Sequence, residues 1–323
     1  MAVAMQFRET GGPEKLAPAT ITLAEPGPGE VRLRHTAIGA NFIDIYHRSG
    51  LYPLPLPAVP GSEAAGVIEA VGAGVTLPIG ARVAYARGPL GAYASERIIA
   101  AKHLVALPKE VSDVVAASAM LKGLTAWYLL HETFPVRKGD VILVHAAAGG
   151  VGQLLCQWAK RLGAIVIGTV GSEAKAVTAQ QAGADYVIFY RTEDVAKRVR
   201  DITNGAGVSV VYDAVGKSTF FASLDALKPL GLMVSYGQAS GPIPPFDVSE
   251  LARRGSLFLT RPGLKDYIAN DATYQRAATA LLALIASGEL RLQVQQRYPL
   301  EQAGEAHRAL EARETSGSTV LIP

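Results

Sequence analysis

Val141-Ile-Leu-Val144, then Ala146-Ala-Ala-Gly-Gly-Val-Gly152, then Gln153 to Leu162 is the stretch that decides the fold. Four apolar residues in a row read as a strand buried on both faces. A glycine-rich turn follows, and the helical segment after it runs to Gly163, a residue suited to closing a helix. The dinucleotide fingerprint G-x-G-x-x-G stands here as Ala147-x-Gly149-x-x-Gly152, with only the first glycine replaced. The middle glycine lets backbone amides approach a pyrophosphate. The last lets the helix pack on the strand, and the helix N-terminus favours the anion.

The same grammar continues downstream. Ala164 to Val170 reads as a second strand, and Glu173 to Ala182 as a helix ending before Gly183. Tyr186 to Phe189, Val208 to Tyr212 and Leu232 to Tyr236 continue the strands, with Ser256 to Thr260 as the last. Strands alternating with helices of about 10–15 residues predict a doubly wound parallel sheet. An acid at the end of the second strand would bond a ribose 2′-hydroxyl and select NAD. Here the strand runs into Gly171-Ser172-Glu173-Ala174-Lys175. Ser172 and Lys175 offer a hydroxyl and a cation suited to a 2′-phosphate, while Glu173 suits the first turn of the next helix. Tyr190-Arg191 ends the third strand with another donor and cation. NADPH is the expected cofactor; the other reading of Lys175 and Arg191 is as solvated surface residues.

Upstream, the first ~120 residues read as short strands and turns. Val31 to Thr36 alternates apolar and polar residues, Glu25-Pro-Gly-Pro-Gly-Glu30 marks a turn before it, and Gly66 to Val71 and Arg82 to Tyr85 are further strands. Tyr52-Pro-Leu-Pro-Leu-Pro57 is expected as a surface loop, because its prolines lack donors. At the other end, Asn270 or Asp271 caps a helix closed by Gly288. A helix from Gln302 to Arg313 precedes a strand, Ser318 to Ile322, that needs a sheet to join. The nucleotide sheet already has six strands, so this one is expected to return to the N-terminal domain.

Composition narrows the function. The 323 residues suggest about two domains. Thirty-one Lys and Arg against 28 Asp and Glu give a net charge of +3, with 18% charged and 49% apolar residues. That excludes a disordered chain, and without a Lys/Arg block it argues against nucleic acid as the main partner. One cysteine, Cys156, excludes an intramolecular disulfide and a cysteine-built zinc site; it reads as a buried structural thiol. The six histidines are dispersed, with no i,i+4 pair on a helix, so no metal ligand is expected; His47 reads as a surface or hydrogen-bonded residue. Met1-Ala-Val-Ala-Met-Gln-Phe-Arg8 lacks the pattern of a leader, and no 18-residue apolar run is present. A soluble, cytoplasmic chain without a membrane span is the expectation.

Several segments together resemble one family over the whole length. They are Ala37-Ile-Gly-Ala-Asn-Phe-Ile-Asp-Ile-Tyr46, Pro60-Gly-Ser-Glu-Ala-Ala-Gly-Val67, Lys122-Gly-Leu-Thr-Ala126, the 146–152 loop and Gly317-Ser-Thr-Val-Leu-Ile-Pro323. They resemble the zinc-free quinone oxidoreductase branch of the medium-chain dehydrogenase/reductase superfamily. The resemblance implies an α/β fold: a GroES-like, β-rich catalytic domain (residues 1–122, returning at 261–323) and an inserted Rossmann domain (123–260), with the active site in the cleft between them. Asn41 stands where zinc-dependent relatives carry a cysteine ligand, and Gly61-Ser62-Glu63 where they carry Gly-His-Glu. The implied activity is NADPH-dependent reduction of a small-molecule quinone. Asn41, Asp44 and Tyr46 would lie by the nicotinamide and acceptor, with Tyr52 as a cleft wall; amide or phenol donors there would support a developing oxyanion. Thr125 is implied at the nicotinamide side, and Ala148, Gly149, Gly150, Val151 and Gly152 at the pyrophosphate. Ser172, Lys175, Tyr190 and Arg313 are implied at the 2′-phosphate and adenosine end, and Gly237 where the cofactor passes closely. The alternatives are reduction of an activated C=C bond (enones or enoyl thioesters), or a mainly structural or RNA-binding role. Family members are commonly oligomeric, and a homodimer paired through Ser256 to Thr260 is expected.

Overall fold

The computed structural model describes residues 1–323. In chain order the first elements are β1 (Ala2–Gln6), β2 (Ala17–Ile21), β3 (Glu30–Ala40), α1 (Phe42–Arg48), β4 (Glu63–Val71), β5 (Arg82–Tyr85), β6 (Glu96–Ala100), β7 (Val105–Ala106) and α2 (Asp113–Tyr128). Then come β8 (Val141–Val144), α3 (Gly150–Arg161), β9 (Ile165–Val170), α4 (Glu173–Gln181), β10 (Tyr186–Phe189), α5 (Val195–Ile202), β11 (Val208–Asp213), α6 (Phe220–Ala226) and β12 (Leu227–Ser235). The last are α7 (Ser249–Arg253), β13 (Phe258–Thr260), α8 (Leu264–Tyr267), α9 (Asp271–Ala286), β14 (Val294–Pro299), α10 (Ala303–Glu311) and β15 (Ser318–Ile322). The chain divides into two units, Met1–Leu124 with Asn270–Pro323, and Thr125–Ala269.

The first unit is built on a sheet ordered β14-β15-β3-β4-β5-β7, with β6 also paired to β3. The long strand β3 organises it. Val31, Leu33 and His35 alternate inward, and from Ala37 to Ala40 every residue is buried. Met5, Phe7, Leu33, Ile38, Ile68, Tyr85 and Leu321 fill the core beneath. The final strand returns here, as its apolar run requires: β15 lies antiparallel to β3, Thr319 against Ala40 and Leu321 against Ile38.

The second unit is a six-stranded sheet ordered β10-β9-β8-β11-β12-β13, every pair parallel. This is the 3-2-1-4-5-6 order of a dinucleotide-binding fold. Leu143, Ile167, Ile188, Val211, Phe220 and Met233 form its core. The helix after the glycine loop begins at Gly150, ahead of the expected Gln153, because first-turn amides lack helical partners and tolerate glycine. It closes as expected, before Gly163 at φ +87°.

Three features depart from the sequence reading. The end of the first ~120 residues, expected as strands and turns, instead begins the long helix α2, Asp113–Tyr128. Ala116, Ala117, Ala119, Met120 and Leu124 are all buried, so no one-sided apolar stripe marks it. β12 starts at Leu227, well before Leu232, because Pro229 and Leu230 (φ +61°) disguise its first half. Residues 261–269 group with the second unit: the Tyr267 ring stacks on Tyr128 at 4.4 Å, and Thr133 Oγ1 donates to Tyr267 Oη at 3.0 Å.

Candidate active site

The first unit carries a buried polar cluster at the end of β3. The β3–β4 register sets Gly39 opposite Glu63. A Cβ on Gly39 would stand 2.3 Å from Glu63 Oε1, so only glycine leaves room for that carboxylate over the strand. Glu63 is fully buried, and three donors meet it: Asn41 Nδ2 at 2.8 Å and Lys122 Nζ at 3.0 Å on Oε1, and the Leu121 amide at 2.6 Å on Oε2. Asn41 begins α1, and its backbone N–H donates to Asp44 Oδ2 at 2.9 Å, the helix-start contact of a capping box.

Asp44 is sealed inside. Its Oδ2 also accepts from the Tyr93 hydroxyl at 3.1 Å, while its Oδ1 meets no partner. Behind Tyr93 stands His307 of α10, Nε2 at 2.9 Å from the phenol, with Arg48 NH1 at 3.4 Å from Nδ1. A guanidinium only donates, so His307 Nδ1 accepts and Nε2 carries the proton. Every hydrogen in this chain therefore points toward Asp44. Burial raises the Asp44 carboxyl to about 7, with Glu63 adding to the rise. Burial and Arg48 push His307 down to about 3. Burial and the Asp44 charge hold the Tyr93 phenol neutral by raising its pKa.

Beside this cluster is an aromatic group. Tyr52 donates its backbone N–H to Tyr46 O at 3.0 Å, and the two rings meet edge-on at 5.3 Å. Phe42 lies 6.4 Å from Tyr46, and His47 6.0 Å from Tyr52. His47 is buried, with Nδ1 unpartnered, and so departs from the surface or hydrogen-bonded residue expected of it.

In the second unit, Gly149 is the extended N-cap of α3 and no side chain caps it. The first-turn amides of Gly150, Val151 and Gly152 are free of helical partners, and no acid stands in that turn. Gln153 Nε2 pins the loop by donating to Ala148 O at 2.8 Å. A Cβ on Gly152 would fall 2.3 Å from Ala146 O, so helix and loop approach as closely as backbone allows. Past β9, Ser172 caps α4 in extended geometry with its hydroxyl uncommitted to the cap, and Glu173 lies in the helix's first turn. A Cβ on Gly171 would come 2.7 Å from Tyr190 Oη, which brings Tyr190 to the same end of the sheet as Ser172. This donor set fits a dinucleotide bearing a 2′-phosphate.

Two family models match the chain: the alcohol dehydrogenase GroES-like domain over residues 27–109, and the zinc-binding dehydrogenase over residues 182–321. A quinone oxidoreductase of Pseudomonas aeruginosa is 51% identical over 325 residues, covering 100% of both chains. The chain belongs to the quinone oxidoreductase family. That family lies within the medium-chain dehydrogenase/reductase superfamily. Among solved quinone oxidoreductases, that of Escherichia coli in complex with NADPH matches with a TM-score of 0.97 at 48% identity, covering 99% of this chain and 100% of that one. A 2-haloacrylate reductase from a Burkholderia species is 47% identical, covering 100% of this chain and 99% of its own.

Among the expected site residues of this quinone oxidoreductase family member, Asn41, Asp44, Tyr46 and Tyr52 come together in the first unit. Ala148 to Gly152 form one loop in the second, and Ser172 and Tyr190 share one end of its sheet. Lys175 is half-buried on α4, Thr125 half-buried on α2, and Gly237 buried just past β12. Arg313 belongs to the first unit, exposed beyond α10 in left-handed backbone at φ +59°. One expectation is corrected. Asn41 was expected to offer amide hydrogens to an oxyanion, but its Nδ2 is already committed to Glu63 Oε1 and, at 3.4 Å, to Gly39 O. Sequence reasoning gave no role to Glu63, Lys122, Tyr93, His307 or Arg48. Glu63 and Lys122 lie inside quoted motifs, so their charges at buried positions were the available signal.

Proposed function

We propose that this chain reduces quinones with NADPH, in keeping with its family. The observation that carries the cofactor is the uncapped, acid-free N-terminus of α3, together with a β9 that runs into Ser172 and Lys175 without a terminal carboxylate. Ala148, Gly149, Gly150, Val151 and Gly152 would hold the pyrophosphate. Ser172, Lys175, Tyr190 and Arg313 would surround the 2′-phosphate and adenosine end, Thr125 would lie at the nicotinamide side, and Gly237 would let the cofactor pass closely. NADPH, when bound, supplies the hydride. A quinone becomes a hydroquinone by taking that hydride and one proton. The protein's own work is therefore positioning and exclusion of water. Tyr46 and Tyr52 carry the phenol hydroxyls that would meet the acceptor oxygen, and Asp44 steadies the start of α1 through the Asn41 amide.

A quinone is already electrophilic, so the reaction needs little Lewis-acid help. With serine and asparagine at the positions where zinc-dependent relatives carry ligands, we read the enzyme as zinc-independent. We also read it as a cytoplasmic homodimer, with β13 at the sheet edge as the pairing strand and Phe258 exposed on it.

The test is steady-state turnover of a benzoquinone, phenanthrenequinone and a small enone, with NADPH and NADH side by side. Quinone turnover strongly favouring NADPH is expected. Turnover of the enone alone would move the protein to reduction of activated C=C bonds. Lys175→Ala should weaken NADPH by about 10-fold or more and leave NADH unchanged, the loss expected of one charge-assisted hydrogen bond.

A further inference from the structure

Ala146 opens the glycine loop and turns it. Its φ is +51°, a left-handed backbone that a residue with a Cβ keeps only where its surroundings impose it. Two of the contacts that impose it come from one residue. Before the turn, His145 is still tied to the sheet, its N–H donating to Tyr212 O at 3.0 Å, and its ring Nδ1 lies 3.0 Å from Thr169 Oγ1. After the turn, the Ala147 N–H donates to Thr169 O at 3.1 Å. Thr169 of β9 thus grips the chain on both sides of the strained residue. Gly168 beside it gives the turn room, since a Cβ there would stand 2.7 Å from Ala147 Cβ.

The imidazole is itself held. Its Nε2 lies 2.9 Å from Ser223 Oγ on α6. The other partners of that hydroxyl, Thr219 O at 2.8 Å and the Asp213 carboxylate Oδ2 at 3.2 Å, only accept. Giving the serine hydrogen to one of them leaves Nε2 to donate to Ser223 and Nδ1 to accept from Thr169, so each hydrogen is used once. Asp213 is fixed in turn by the Val215 and Gly216 amides at 2.6 and 3.1 Å and by Thr219 Oγ1 at 2.6 Å. His145, Thr169, Ser223 and Asp213 are all buried. Burial lowers the His145 pKa against the pull of Asp213, which keeps the ring a neutral bridge.

We infer that His145 is a positioning residue for NADPH: with Thr169 it clamps the left-handed turn at Ala146, and so sets the amides of the 148–152 loop for the pyrophosphate without touching the reacting atoms. The inference rests on the reading that this loop holds NADPH.

Three variants test it. His145→Leu removes both ring contacts. Thr169→Val removes the hydroxyl and keeps the backbone carbonyl. His145→Asn keeps an acceptor at the Nδ1 position and loses only the arm to Ser223. NADPH affinity is read from nicotinamide fluorescence, and kcat from benzoquinone turnover at saturating NADPH. Opening of the turn is read from hydrogen exchange of the Ala147 amide in cofactor-free protein. His145→Leu and Thr169→Val should each bind NADPH about 10-fold more weakly, the loss of one hydrogen bond, with kcat within about twofold of wild type. Both should exchange the Ala147 amide faster. Because both break the same bond, the double variant should be little worse than either alone. His145→Asn should bind NADPH nearly as wild type does.

Wild-type affinity in folded His145→Leu and Thr169→Val overturns the inference, as does a fall in kcat with affinity unchanged. So does a His145→Asn variant as weak as His145→Leu, because the clamp to Thr169 would then not be what the ring supplies. If His145→Leu does not fold, Thr169→Val carries the test. Added to His145→Leu, Ala146→Gly should restore much of the lost affinity, since glycine takes this backbone without a clamp; a double variant no tighter than His145→Leu overturns the link to the turn. Failure of the wild type to bind NADPH would refute the cofactor reading, with Ala147 exchange still deciding whether the clamp exists. Absence of quinone turnover would refute the proposed reaction and leave the binding and exchange arms to decide this inference.

Discussion

At Asp44, burial and charge conflict most openly. Its side chain is wholly enclosed, one oxygen takes two hydrogen bonds and the other takes none. Because its native pKa lies near 7, above the ordinary 3.8, the folded protein holds a proton there that the unfolded chain releases. Stability from this group is therefore complete at low pH and falls as pH rises toward 7. Asp44→Asn mimics the protonated form: its carbonyl can take both donors, and its NH2 falls on the unpartnered side. Compared with wild type, the variant should gain roughly 1.4 kcal/mol of stability for each pH unit between about 4 and 7. Urea unfolding across that range measures the difference, and parallel curves would refute it. Asp44 itself was legible in the sequence because it sits three residues from Asn41 in a recognisable segment. Tyr93 and His307 were not, since they stand in stretches far apart in the chain, and no local spacing announces a contact between residues 93 and 307; nor does the place of Arg48 on α1 announce its approach to His307.

Among elements, those with a strong period or hard punctuation were readable. β8, β10 and β15 lie where apolar runs and bounding residues put them, and α9 is capped by Asn270, whose side chain accepts from the Thr273 amide. α2 was missed because a helix buried all round has no stripe, and β12 was shortened because a proline and a positive φ interrupt it. The loop before α3 separates two kinds of glycine. A Cβ at position 152 would meet backbone at 2.3 Å, whereas at position 149 the nearest atom is 3.2 Å away, with open space toward the helix N-terminus. Gly152→Ala should cost about 1–3 kcal/mol of stability, because backbone cannot step aside as a side chain can. Gly149→Ala should fold with a Tm near wild type yet bind NADPH at least about 10-fold more weakly, since its methyl stands where the pyrophosphate must approach. Calorimetry and a fluorescence titration separate them. Equal losses of Tm, or normal NADPH binding by Gly149→Ala, would show that the loop does not work this way.

For the whole molecule, the histidines set the acid limit of stability. All six have pKa values lowered from 6.5, and burial is the leading cause at each. The largest shifts are His35, brought to about 4 between Ala94 O and the Tyr85 hydroxyl, and His307, brought to about 3. A buried neutral histidine resists a proton that the unfolded chain accepts near pH 6.5. Its contribution is therefore whole above that pH and is lost as pH falls toward the native value. Asp44 works in the opposite direction over much of the same window, but it is one group against His35 and His307 together, with the other four shifted the same way as these two. The net expectation is an unfolding free energy that falls by about 1.4 kcal/mol per pH unit from pH 6.5 to 4, the contribution of the uncancelled histidine, and a Tm that falls with it. His35→Gln, which keeps a side chain able to bond Ala94 O and Tyr85, should make that slope shallower even if it lowers stability at pH 8. Thermal unfolding of both proteins from pH 4 to 8 tests this, and a wild-type Tm that stays level down to pH 5 would mean that these buried imidazoles take up protons without cost to the fold.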